Sequence, residues 1–182
     1  MTRILLIGFM AAGKTTLGKA LARDLGLQFI DLDHYIENRY HQSVSQLFAQ
    51  RGEEAFRQIE RNMLHEVAEF EDVIIATGGG TPCFYDNMDY MNARGTTVYL
   101  DASVDVIHTR LTIARTQRPL VKDKTADELR QYIIDTLEHR LPYYTRAHHT
   151  FCANHLEDME QVTRSVERFK EYMCITSKRE AL

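Results

Sequence analysis

The sequence has few cysteines, no long apolar run and no excess of positive charge, and each shortage removes a class of function. Cys83, Cys152 and Cys174 are its three cysteines, far apart and without C-x-x-C spacing. Neither a disulfide framework nor a thiolate zinc site is expected from them, and reduced thiols in a cytosol fit best. No apolar stretch approaches the roughly 20 residues of a membrane span. The N-terminus passes directly into a short apolar segment with no cleavable signal pattern, so export is not expected and a cytoplasmic location is. The 8 His are scattered, and His148 and His149 lack the i, i+4 spacing that sets two imidazoles on one metal. With 22 Lys and Arg against 26 Asp and Glu, the net charge of -4 offers no basic field to a nucleic-acid backbone. Any anion bound must be met by a local site. Internal repeats and low-complexity linkers are missing too.

What is present is the make-up of an ordinary soluble domain, 182 residues with 44% hydrophobic and 26% charged. A chain of this length buries roughly 70% of its unfolded surface, so one domain over residues 1–173 with a tail at 174–182 is the expectation. No large apolar stripe is left over, which predicts a monomer.

Short apolar runs alternate with stretches of helical period, the pattern of helices crossing between parallel strands. Ile4-Leu5-Leu6-Ile7 is continuous, as in a strand covered on both faces. A helix bearing Leu17, Ala20, Leu21 and Leu25 follows and stops at Gly26. The run Phe29 to Asp33 predicts a second strand. Ser43 and Gln46 form a capping box for a short helix closing at Gly52, and Phe56, Ile59, Met63, Leu64 and Val67 mark a longer one. Val73 to Ala76 is a third strand and Thr97 to Leu100 a fourth. Helices over about 103–114, 126–141 and 156–172 and a weak strand at Thr150 to Cys152 complete the reading. Between them, 115–125 carries Arg115, Arg118, Lys122 and Lys124 around Pro119, the composition of a loop.

Gly8-Phe9-Met10-Ala11-Ala12-Gly13-Lys14-Thr15 fits G-x-x-x-x-G-K-[ST] and lies between the first strand and the first helix. Glycines let successive N–H groups turn inward on phosphate oxygens, and the helix dipole adds positive potential. Lys14 reaches the outer phosphates and the Thr15 hydroxyl is a ligand for Mg²⁺. No acid ends the Val73 to Ala76 strand; Thr77-Gly78-Gly79-Gly80 does. The acids near a strand end are Asp31 and Asp33, which a period of two aims to one side. One would serve Mg²⁺ and the other a second substrate, unless Asp33 simply caps a helix starting near His34.

These motifs, with Phe56-Arg57 in Glu-Glu-Ala-Phe-Arg-x-x-Glu, Arg118-Pro119-Leu120 and Arg140 before Pro142-x-Tyr144, resemble the shikimate kinase family, in order and from Arg3 to about Cys152. The resemblance implies a three-layer αβα P-loop kinase fold with a five-stranded parallel sheet of order 2-3-1-4-5. It further implies a helical substrate-binding region at about 33–61 and a lid at about 115–125. The implied reaction is ATP-dependent phosphorylation of the 3-hydroxyl of shikimate on the route to aromatic amino acids. Lys14, Asp33 and Arg118 would be catalytic. Gly8, Met10, Ala11, Ala12, Gly13, Lys14, Thr15, Thr16, Arg110 and Arg118 would hold ATP. Asp33, Arg57, Gly78, Gly79, Gly80 and Arg140 would hold shikimate, and Thr15 and, through water, Asp31 would hold Mg²⁺. Two guanidiniums suit a small carboxylate, since a planar fork donates two hydrogen bonds to it.

The sequence departs from the family pattern at Ala11, where glycine is usual, and in an interval from Arg110 to Arg118 that is one residue longer than usual. Taken alone, Arg57 would be an exposed ion pair with Glu54 or Glu60, and Arg140 one with Asp135 or Glu138. The competing functions are a sister kinase acting on gluconate or a nucleoside monophosphate, and a non-catalytic nucleotide-binding module.

Overall fold

The computed structural model describes residues 2–114 and 124–175. The expected lid, apart from Lys124 and Thr125, and Arg118 within it lie outside the described residues.

Five strands form one parallel sheet: β1 (Arg3–Ile7), β2 (Gln28–Asp31), β3 (Val73–Ala76), β4 (Thr96–Asp101) and β5 (His149–Cys152), in the order β2-β3-β1-β4-β5. That is the predicted order. Leu5 in β1 sits in register with Ile75 on one side and Thr97 on the other. The continuous apolar run of β1 serves two cores because successive side chains point to opposite faces. Ile4 and Leu6 join Val98, Leu100 and Phe169 in one core, while Leu5 and Ile7 join Ile75, Leu64 and Tyr99 in the other.

The helices are α1 (Lys14–Leu25), α2 (Leu32–Tyr40), α3 (Val44–Val67), α4 (Asn87–Arg94), α5 (Val104–Ile113), α6 (Ala126–Tyr144) and α7 (Met159–Met173). Gly26 ends α1 at φ 67°. The Ser43–Gln46 capping box starts α3, and Gly52 breaks that helix at φ 76°, ψ 171°, so two helical segments meet there as expected. Three boundaries differ from expectation. The second strand stops at Asp31, because the Asp31 carboxylate accepts the His34 N–H and caps α2. Helix α4 is an addition, eight residues whose only apolar core contributions are Met88 and Met91. Helix α6 continues through Pro142, which denies Glu138 its i+4 donor; the last turn is held by the burial of Tyr144.

Since β1 lies between β3 and β4, the chain leaves the sheet centre in opposite directions, and a crevice opens at the carboxyl ends of these strands. The loop after β1, the glycines after β3 and the end of β2 all reach it.

Candidate active site

A cleft of about 290 Å³ occupies this crevice, with Arg110 and Leu156 at one end, Lys14 and Thr15 in the middle, and Asp33 and Gly79 at the other. The loop from Gly8 to Gly13 forms its floor. Gly8 has φ 142° and passes so close to β4 that a Cβ there would stand 2.8 Å from the Leu100 carbonyl. Gly13, at φ 102°, precedes an α1 start that has no side-chain cap. The first-turn amides of α1 are therefore directed at a ligand's oxygens instead of a capping side chain. Lys14 is buried, and its Nζ donates to the Gly8 and Phe9 carbonyls at 2.8 Å each. Ala11, where the family pattern has glycine, does take the left-handed conformation, φ 61°.

The Thr15 hydroxyl donates to Asp31 at 2.8 Å. These are two hard oxygen donors beside the phosphate loop. Among the described residues no group of three or more His, Cys, Asp or Glu side chains is placed to hold a metal. The pair fits Mg²⁺, which takes one or two protein oxygens and completes its shell with water and phosphate. Asp31 thus holds two positions at once, cap of α2 and partner of Thr15, and the capping role weighed for Asp33 belongs to Asp31.

At the other end, each of three successive glycines abuts one predicted substrate residue. A Cβ on Gly78 would stand 2.9 Å from Asp33 Oδ1, one on Gly79 3.0 Å from Arg140 Nη1, and one on Gly80 3.0 Å from both Arg57 terminal nitrogens. Asp33 is not on the strand but in the first turn of α2; it nevertheless lines the same cleft as Asp31. Its pKa is pushed from 3.8 up to about 6, by burial first, then by Glu60 and Asp31, with Lys14 opposing.

Arg57 carries the Glu60 ion pair that its helix spacing allows, at 2.9 Å, and a second with Glu53 at 3.3 Å. The pair is not a surface one: the Arg57 side chain is 12% exposed and that of Glu60 2%. The guanidinium also lies 4.0 Å from the Phe84 ring centroid. Arg140 lies 5.7 Å from the Phe9 ring. Arg110 joins the nucleotide end differently. It donates to the carbonyls of Ala11 and Ala12 at 3.3 Å and of Ala153 at 3.0 Å, and pairs with Glu157 at 2.7 Å. It thereby ties the phosphate loop to the segment after β5.

Sequence reasoning did not single out Thr81 or Glu157; it quoted Tyr144 and Glu60 within the family motifs, giving Tyr144 no role and Glu60 only that of an ion-pair partner of Arg57. Thr81 donates to Glu60 at 2.6 Å, and Tyr144 donates to the Gly79 carbonyl at 2.5 Å. Glu60 carried a signal, an acid one turn after Arg57 on the apolar side of α3; the others depend on contacts between distant elements.

A family model described as "Shikimate kinase" matches residues 10–170. A protein of Bacteroides thetaiotaomicron named "Shikimate kinase" is 57% identical over 173 residues, 95% of this chain and 99% of that one. A solved structure of shikimate kinase from the same species superposes with TM-score 0.94 at 56% identity, covering 96% of this chain and 99% of that chain. Shikimate kinase from Acinetobacter baumannii, solved in complex with shikimate, gives TM-score 0.82 at 30% identity over 96% of this chain and 94% of that one.

Proposed function

The chain belongs to the shikimate kinase family and phosphorylates shikimate with ATP, a step towards aromatic amino acids; from that premise we infer how its residues divide the work. The observation that carries the assignment is the run Gly78-Gly79-Gly80 abutting Asp33, Arg140 and Arg57 in turn, beside the phosphate loop. Arg57 and Arg140 grip the shikimate carboxylate, since guanidinium forks match its two oxygens. Gly78, Gly79 and Gly80 keep side chains out of the space the ring fills. Asp33 accepts the hydrogen bond of the 3-hydroxyl and aims that oxygen at the γ-phosphorus.

On the nucleotide side, Gly8, Met10, Ala11, Ala12, Gly13 and Thr16 shape the loop that receives the phosphates, and Lys14 neutralises charge on the outer ones. Arg110 stands beside the nucleoside end. The Thr15 hydroxyl and, through water, Asp31 would hold Mg²⁺, which would supply positive charge against that of the phosphates. Phosphoryl transfer asks a protein mainly for alignment and charge neutralisation, and the groups brought together supply both.

The unit is a single domain over residues 1–173, its acceptor region at about 33–61, acting as a cytoplasmic monomer without nucleic acid or membrane. Among the exposed large apolar side chains, Ile113 lies on α5, and Met159 and Tyr172 lie near opposite ends of α7; among the described residues no helix is long and apolar enough to cross a membrane.

The test is ADP formation with purified chain, ATP and Mg²⁺ against a panel of acceptors. Shikimate is expected to support turnover, with gluconate and nucleoside monophosphates inert. Turnover on one of those instead would overturn the acceptor assignment.

A further inference from the structure

Tyr144 is fully buried at the end of α6, four residues and about one helical turn beyond Arg140. Its ring stacks on Tyr99 of β4, centroids 5.1 Å apart. Burying a phenol this deeply holds it protonated, its pKa pushed up to about 12, so the hydroxyl is a permanent donor. That proton goes to the Gly79 carbonyl at 2.5 Å; the Arg140 guanidinium lies beside the same group, its Nη1 3.0 Å from where a Cβ on Gly79 would stand, and its charge opposes the rise in the Tyr144 pKa.

Two consequences follow from peptide geometry. A trans peptide points its C=O and the next N–H in opposite directions, so anchoring the Gly79 carbonyl on Tyr144 turns the Gly80 N–H away from it. Glycine backbones have little rotational preference of their own, and a run of three needs an external anchor to keep one orientation. Arg140, half-exposed on a long flexible side chain, needs one as well.

Resting on the reading that Gly79, Gly80 and Arg140 form the shikimate subsite, we propose that Tyr144 is a positioning residue for that subsite. Its single hydroxyl sets both the Gly79–Gly80 peptide plane and the Arg140 guanidinium. Tyr144 touches no substrate; it acts through the two groups that do. Its consequence is expected to fall mainly on shikimate: Gly79 does pack beside Gly8 and Met10 of the phosphate loop, but the Tyr144 hydroxyl bonds the Gly79 carbonyl and none of that loop.

The test compares Tyr144→Phe with Tyr99→Phe and Arg140→Ala. Tyr144→Phe keeps the ring and its stack and deletes one oxygen. Its KM for shikimate is expected to rise about tenfold with the KM for ATP within twofold of the parent, a split that mere loosening of the fold would not produce. Tyr99→Phe removes a hydroxyl that bonds Asp101 instead, and both KM values should stay unchanged. Arg140→Ala should raise the shikimate KM more strongly than Tyr144→Phe. An unchanged shikimate KM in Tyr144→Phe, with Arg140→Ala still impaired, overturns the role of Tyr144 alone. If Arg140→Ala is also unimpaired, the subsite reading itself falls, and the proposal with it. Should Tyr144→Phe not fold, 3-fluorotyrosine placed at Tyr144 gives a second readout. Its fluorine resonance is expected to shift on adding shikimate and to ignore ADP; a resonance indifferent to shikimate overturns the proposal.

Discussion

Asp33 and Glu60 face each other across Gly78: Oδ1 of the first and Oε1 of the second would stand 2.9 and 3.0 Å from a Cβ on that glycine. Burial first and then the nearby Glu60 charge disfavour ionisation of Asp33. Arg57 and Thr81 satisfy Glu60, which leaves Asp33 to carry the conflict.

The first prediction concerns pH. Folding raises the Asp33 pKa from 3.8 to about 6, so the folded state favours the protonated acid. That favour is complete below about pH 4 and is lost as pH rises through about 6. Above it, the charge costs stability, at most about 3 kcal/mol for a shift of this size. Asp33→Asn should therefore be more stable than the parent at pH 8, with the gap closing between pH 6 and 4, as read by denaturant unfolding. In the parent, kcat/KM for shikimate should fall as pH drops through about 6, because the protonated acid is a weaker acceptor of the hydroxyl's hydrogen bond than the carboxylate. A pH-independent gap or a flat kcat/KM profile across that range would remove Asp33 from the role given to it.

Lys14 supplies the second. Its ammonium, held between the Gly8 and Phe9 carbonyls, is ready beside the phosphates before they arrive. Lys14→Ala should lower kcat by roughly 100-fold or more, the scale of losses for preorganised electrostatic groups. Because Lys14 also restrains the rise in the Asp33 pKa, shikimate binding in the variant should weaken at a higher pH than in the parent. Calorimetric titration across pH would show it; a mild kcat effect would mean the cradle is misread.

The phosphate loop was legible because its chemistry is local: spacing, glycines and the adjoining strand and helix all lie within 8–15. Asp33 was legible with Asp31 as an acid at a strand end, but Arg57 and Arg140 only as parts of a family pattern, since a lone arginine on a helix has ordinary partners, and Arg57 does pair with Glu60. The roles of Asp31 and Asp33 turned on where β2 ends. That is set by which carboxylate finds the His34 amide, and either spacing suited an N-terminal cap. Helix α4 escaped because eight residues with two buried methionines scarcely show a period. Tyr144 was visible as a member of the family motif but its place was not: Pro142 ordinarily marks a helix end, and the burial of Tyr144 against Tyr99 comes from a strand more than forty positions away.

Ala11 yields a prediction on stability. Its φ of 61° is unfavourable for an L side chain by roughly 1 kcal/mol or somewhat more, partly offset by the smaller freedom alanine has in the unfolded chain. Ala11→Gly is expected to stabilise the protein by about 0.5 kcal/mol. Equilibrium unfolding in urea would measure this. Because the Ala11 carbonyl also accepts from Arg110, the KM for ATP reports whether the loop keeps its path, and it should stay within twofold. A destabilised variant would mean that the Ala11 methyl packs more favourably than its backbone conformation costs.

Gly80 offers a separate test of the acceptor site. Its own φ of -89° and ψ of -21° are ordinary for any residue, so alanine there brings no backbone strain. The added methyl would stand 3.0 Å from both terminal nitrogens of Arg57 and 3.3 Å from its Cζ. Arg57 has little room to retreat, held as it is by Glu60, by Glu53 and by the Phe84 ring. Gly80→Ala should thus push the guanidinium off the carboxylate and raise the KM for shikimate by about tenfold, the cost of roughly one charge-assisted hydrogen bond. ATP binding should be preserved, since the atoms nearest the added methyl all belong to Arg57. Steady-state kinetics with each substrate varied in turn separates the two constants. A variant with the parent's shikimate KM would show that Arg57 grips Glu60 alone and leaves the carboxylate to Arg140.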